Sequence, residues 1–96
     1  MVKLTEVISY VSHIGHGIDA KNEETFSLRE IYVNPKHVVM LRGDEGLDAK
    51  HKERPLVKDL IKKARFTKVS MNTGSNTYLT VCVVGDTDMI SKKLGK

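Results

Sequence analysis

The chain has 96 residues, enough for one domain and too few for two ordinary ones. Apolar residues make up 40% of it and charged residues 29%, which excludes a wholly disordered chain. No run approaches the roughly 18 apolar residues that span a membrane as a helix. Sixteen Lys and Arg against twelve Asp and Glu leave a net charge of +4, and the excess is concentrated. Lys50, Lys52, Arg54, Lys58, Lys62, Lys63, Arg65 and Lys68 meet only Glu53 and Asp59 in their own stretch, so the rest of the chain is net acidic.

Along the chain, Leu4, Val7, Ile8 and Val11 fit a helical face, while the β-branched and aromatic content of VISYVSHI favours a strand; a strand is expected. This start has no long apolar stretch followed by a small-residue cleavage pattern, so no secretory leader is expected. Gly15 and Gly17 break the run, and GHGIDAKNEE reads as a loop or broad hairpin connection. FSLREIYVNP and KHVVMLRG follow as two short β-rich runs. Asn34-Pro35 between them marks a strand end and turn, because proline supplies no ladder donor and keeps the preceding residue extended.

From Gly43 to Pro55 the sequence is rich in charge and offers almost nothing to bury, which predicts a mobile surface loop. Pro55 suits the first position of a short helix, after which Leu56, Val57, Leu60, Ile61 and Ala64 fall on one face and Lys58, Lys62, Lys63 and Arg65 on the other. Then FTKVSMN and TYLTVCVVG flank the turn residues TGSN and predict a β-hairpin, with Val69 and Met71 on one face of its first strand and Leu79, Val81 and Val83 on one face of its second. Asp86 is placed to cap a terminal helix, with Asp88 near its positive end, Lys92 and Lys93 near its negative end, and Ile90 and Leu94 docking it.

The predicted fold is mainly β, within the α+β class. A small antiparallel sheet, or an SH3-like partial barrel, forms a single domain over residues 1–96. A mobile basic loop and short helix at 43–65 are inserted in the sheet, and a short helix ends the chain.

Chemical motifs are few. His13-Ile14-Gly15-His16-Gly17 copies the ATP-holding HIGH string of class I aminoacyl-tRNA synthetases, but that string works at the end of the first strand of a nucleotide-binding α/β domain, and no βαβ pattern exists here. His13 and His16 supply two metal donors where a stable zinc site wants three or four, with His37, His51 and Cys82 distant in sequence. Asp44, Glu45 and Asp48 lack the spacing of a calcium loop. Thr73-Gly74-Ser75-Asn76 has neither phosphate-loop spacing nor a following helix. Cys82 sits among apolar neighbours, where an inert thiol is expected, and as the only cysteine it forms no internal disulfide. Neither enzymatic activity nor a cofactor or metal is expected, and a cytosolic setting is.

The basic segment carries the functional expectation. Lys50, Lys52, Arg54, Lys58, Lys62, Lys63, Arg65 and Lys68 suit phosphates, through counterion release and with little sequence preference. Phe66 and Tyr78 offer candidate stacking surfaces for unpaired bases. The protein is thus expected to be a small non-enzymatic regulatory module that binds DNA or RNA. The alternative is a protein-binding module or host-factor inhibitor, in which Leu56, Val57, Leu60 and Ile61 anchor segment 55–65 in a partner groove. A merely solvated basic face is the third reading. Pairing of two copies through an exposed strand or the apolar stripe is also open.

The stretches IYVNPKHVVML, FTKVSMNTGSN and TYLTVCVVGDTDMISKKL resemble the small FlbD-like proteins of swarming motility, over roughly Phe26 to Leu41 and Phe66 to Leu94. The basic insertion and the amino-terminal region depart from that pattern. The compact layout is also similar to small early proteins of T4-like bacteriophages, which implies a phage origin and binding of a host factor or nucleic acid. Neither resemblance carries a catalytic residue over.

Overall fold

The computed structural model describes residues 1–15, 17 and 21–95. Five strands, β1 (Val2–Ile14), β2 (Lys21–Val33), β3 (Val38–Gly43), β4 (Phe66–Gly74) and β5 (Thr77–Val84), form one antiparallel sheet in the order β2-β1-β5-β4-β3. Two helices accompany it, α1 (Glu45–Glu53) and α2 (Thr87–Lys93), and a 3-10 turn at Pro35–His37 joins β2 to β3. The expected mainly β architecture is therefore present. Among the described residues no helix is long and apolar enough to cross a membrane.

β1 and β2 pair along their whole length, from Val2 opposite Val33 to Ile14 opposite Lys21. Thirteen residues at about 3.3 Å each make a ribbon about 43 Å long. β5 pairs with β1 only at Glu6 opposite Val83, and Tyr10, Val11, Ser12 and His13 are all exposed. The far half of the ribbon thus projects as an arm. This explains a radius of gyration of 15.3 Å and a long axis of 49 Å, where a compact chain of this length would have a radius of about 12.5 Å.

The sheet buries side chains on both faces. On one, Leu4, Val33, Val38, Val69 and Val83 form the main core with Ile90 of α2 and Leu94, which caps that helix. Asp86 caps α2 by accepting the Met89 N–H at 2.8 Å, with Asp88 in its first turn and Lys92 and Lys93 in its last, as expected. The cross-strand pair of Glu6 and Arg29, at 2.7 Å, lies farther out along this face. On the other face, buried Val7 sits opposite Leu28, and buried Phe66 meets the ring of His51 from α1.

The β4–β5 hairpin turns through Ser75 and Asn76, whose φ values of 46° and 63° are those of a two-residue primed turn. Of the loop expected at 15–24, residues 21–24 belong instead to β2; Gly15 and Gly17 have positive φ, and residues 16 and 18–20 lie outside the described residues.

Segment 43–65 departs from expectation twice. The stretch taken for a loop forms helix α1. Asp44 caps it by accepting the Leu47 N–H at 3.1 Å, Glu45 and Asp48 occupy its first turn, and Lys50, His51 and Lys52 its last. The stretch taken for a helix, 55–65, is instead a chain of turns, with Leu60 N–H bonded to Val57 O at 3.2 Å and Ala64 N–H to Ile61 O at 3.1 Å. A helix there would have set Lys58 beside Lys62 one turn apart, a like-charge pair. It would also have forfeited the bonds this stretch makes to His51.

Candidate nucleic-acid interface

The basic segment is organised by a residue with no charge-binding role. His51 is 1% exposed. Its Nδ1 accepts the Leu56 N–H at 3.1 Å, so the ring proton lies on Nε2, which donates to the Ile61 carbonyl at 2.7 Å. Phe66 packs against the ring at 5.5 Å between centroids and 80° between planes, an edge contact. One imidazole therefore ties both ends of the 56–61 stretch to α1.

α1 is fixed in turn to the start of β4. Asp44 N–H donates to the Phe66 carbonyl at 2.9 Å, and Phe66 N–H donates to Asp48 Oδ1 at 2.8 Å. The acids at 44 and 48, one turn apart, thus satisfy the backbone of one strand residue. Among the described residues no group of three His, Cys, Asp or Glu side chains is disposed to hold a metal ion. His13 is exposed at the end of β1, and His16 lies outside the described residues.

The expected phosphate-binding residues divide into three sets. Lys52, Arg54, Lys58, Lys62 and Lys63 are exposed and, among the described residues, enter no ion pair. Two others are engaged: Lys50 pairs with Glu24 at 2.9 Å and lies 5.9 Å from the centre of the Phe26 ring, and Arg65 pairs with Asp48 at 3.2 Å. Lys68 is half-buried on β4 beside Cys82. Phe66 needs correction as a stacking residue, because at 1% exposure, with its ring against His51, it has no face to offer a base. It opens β4 pointing into the space that α1 closes.

The proposed anchor stripe does not survive as a stripe. Leu56, Val57 and Leu60 are half-buried, Ile61 is 72% exposed, and the turns that carry them are not the helix on which one apolar face was expected. A groove of about 530 Å³ runs between this segment and the arm, lined among others by Glu23, Phe26, Arg54, Leu56 and Lys58. Its charges are mixed.

Cys82 donates its S–H toward Asp44 Oδ2 at 3.5 Å. Burial, followed by the nearby Asp44 carboxylate and this hydrogen bond, pushes the thiol up to about 12; Lys68 acts weakly the other way. The group stays protonated at neutral pH and is a poor nucleophile.

Sequence reasoning passed over Asp44, Asp48 and His51 as structural residues and Arg42 as an exposed neighbour on the sheet, whereas Tyr78, expected as a stacking residue, is exposed on β5. For Asp44 the signal was present, a capping residue before two acids and three later bases. For His51 none existed, since its partners are set by the fold. No family model, curated protein or solved structure matches the chain.

Proposed function

We propose that the protein is a small regulatory module that binds nucleic acid through its basic segment. The observation that carries this is the clamp on His51: the turns of 56–61 are tied down, yet Lys52, Arg54, Lys58, Lys62 and Lys63 in and beside them remain exposed without carboxylate partners among the described residues. A surface of this kind attracts a polyanion by releasing its counterions and reads little sequence. Lys50 and Arg65, each paired to an acid, contribute less. We further infer that the sheet is an SH3-like partial barrel. In support, each strand pairs with its successor except β2 with β3, and β1 meets β5. A cytosolic setting suits the single half-buried thiol.

The test is anisotropy titration of generic duplex DNA and RNA between 50 and 200 mM salt. Binding should weaken steeply, with a log–log slope of about −0.9 per neutralised phosphate, and Lys62→Gln with Lys63→Gln should shallow it by about one to two contacts. Flat or absent binding at low salt overturns the proposal. The protein-binding alternative keeps one observation in its favour, the exposure of Ile61 among the cations. It would be preferred if a partner bound after nuclease treatment and Ile61→Ser abolished that binding.

A further inference from the structure

The sheet face opposite α2 is only partly covered. Across β3, β4 and β5 the register sets out three rows on it: Arg42 beside Lys68 beside Cys82, Met40 beside Ser70 beside Thr80, and Asn72 beside Tyr78. α1 closes the end at which Phe66 meets His51. Beyond it Arg42, Met40, Thr80, Asn72 and Tyr78 are exposed, Tyr78 at 65%. Ser70 is buried and shares a 3.0 Å hydrogen bond with Thr80, which ties the middle row together.

The three strands themselves bring charge of one sign to this part of the face, with the Asp44 carboxylate bordering it where it meets Cys82. β3, β4 and β5 contain no Asp or Glu, and among the described residues neither Arg42 nor Lys68 enters an ion pair. Tyr78 stands on the same face four positions along from the Lys68 row, about 13 Å away. Two unpaired cations and an exposed aromatic ring on a pleated surface suit a strand whose phosphates meet the cations and whose bases stack on the ring. In a duplex the base faces are already stacked and out of reach.

Resting on the reading of the protein as a nucleic-acid-binding module, we propose that this face is a stacking platform and that the preferred partner is single-stranded nucleic acid. Arg42 and Lys68 hold the backbone, and Tyr78 takes an unpaired base. The basic segment supplies attraction common to both forms of nucleic acid, while the platform supplies the preference for unpaired bases.

The experiment compares the full chain with Tyr78→Leu, Arg42→Gln and Lys62→Gln/Lys63→Gln variants, each checked for an unchanged thermal melt. Binding is read by anisotropy with labelled DNA and RNA oligonucleotides, single-stranded and as duplexes of the same sequence. Tighter binding of the single strands is expected. Tyr78→Leu should weaken that binding about fivefold or more while leaving the duplex affinity and the salt slope unchanged. Arg42→Gln should reduce the single-strand salt slope by about 0.7. Equal affinity for single strands and duplexes, or a Tyr78→Leu protein that binds single strands as well as the parent, overturns the platform. If the double Lys variant still weakens both forms in that event, the basic-segment reading stands alone; binding to neither form overturns both.

Discussion

His51 Nε2 donates to the carbonyl of Ile61 across 2.7 Å and ten residues of chain, and this bond decides the form of the whole basic segment. With Leu56 N–H bonded to the other ring nitrogen, the imidazole satisfies two backbone groups that a local helix would have treated differently. His51→Ala leaves both groups without that partner and opens a void beside Phe66. The expected loss is about 3 kcal/mol, which for a chain of this size lowers Tm by about 12–24 °C. Trypsin should also cut faster after Lys58, Lys62 and Lys63 under native conditions. Unchanged stability together with unchanged cleavage would show that the segment is held by something else.

Asp48 offers a separable test of how α1 is attached. Its Oδ1 accepts a strand N–H from Phe66, while its Oδ2 pairs with an Arg65 side chain that is 66% exposed. An exposed ion pair contributes little, whereas a part-buried amide that loses its acceptor costs about 1–3 kcal/mol. Asp48→Asn keeps an acceptor oxygen and should lie within about 1 kcal/mol of the parent in urea unfolding. Asp48→Ala should fall well below it. Equal losses for the two substitutions would mean that the charge, not the hydrogen bond, matters.

Elements built from neighbouring residues were legible in the sequence, and those built from distant partners were not. The β4–β5 hairpin and α2 rest on a local turn and a local cap at Asp86, and both lie where periodicity and capping place them. β1 read ambiguously for a physical reason: Leu4 packs into one core and Val7 into the other, so burial on both faces of the strand imitates helical spacing. α1 escaped because its inward residues are Leu47 and a histidine, which no apolar period registers. The apolar residues of 55–65 do have a helical spacing, but the hydrogen bonds that override it come from His51, outside that window. Exposure of the lysines could be read from their type; burial of Phe66 depended on α1, which had not been anticipated.

Gly85 joins β5 to α2 at φ +125°, a backbone region that residues with a Cβ rarely enter. A Cβ there would also lie 3.0 Å from Ile90 Cδ1 and from Met89 Sδ. The glycine amide meanwhile bonds to the Arg65 carbonyl at 2.7 Å, and its own carbonyl accepts from Thr67 Oγ1 at 2.8 Å, so the backbone has little room to relax. Gly85→Ala should destabilise by about 1–3 kcal/mol. Because Ile90 belongs to the main core, the loss should be accompanied by earlier amide exchange in α2. A substitution that is neutral in denaturant would contradict the strain argument.

Cys82 gives the protein a predictable weakness in alkali. Its thiol is raised from the ordinary 9.0 to about 12 by burial, by the Asp44 carboxylate and by the hydrogen bond to it. In the unfolded chain it ionises near 9 and in the fold it does not, so above that pH the unfolded state binds fewer protons. The stabilising contribution is complete below pH 9 and is lost as the pH climbs toward 12, with a slope of at most about 1.4 kcal/mol per pH unit and less here because the side chain is only half-buried. Cys82→Ser keeps a donor for Asp44 but does not titrate in this range, so the stability difference between parent and variant should shift in favour of the variant as pH rises from 9 to 11. Thiol alkylation at pH 8 supplies the second readout. The folded thiolate population should lie far below that of the urea-unfolded chain, and the native protein should be alkylated much more slowly. Equal alkylation rates in the two states, or parallel pH profiles for parent and variant, would show that neither burial nor Asp44 raises the Cys82 thiol.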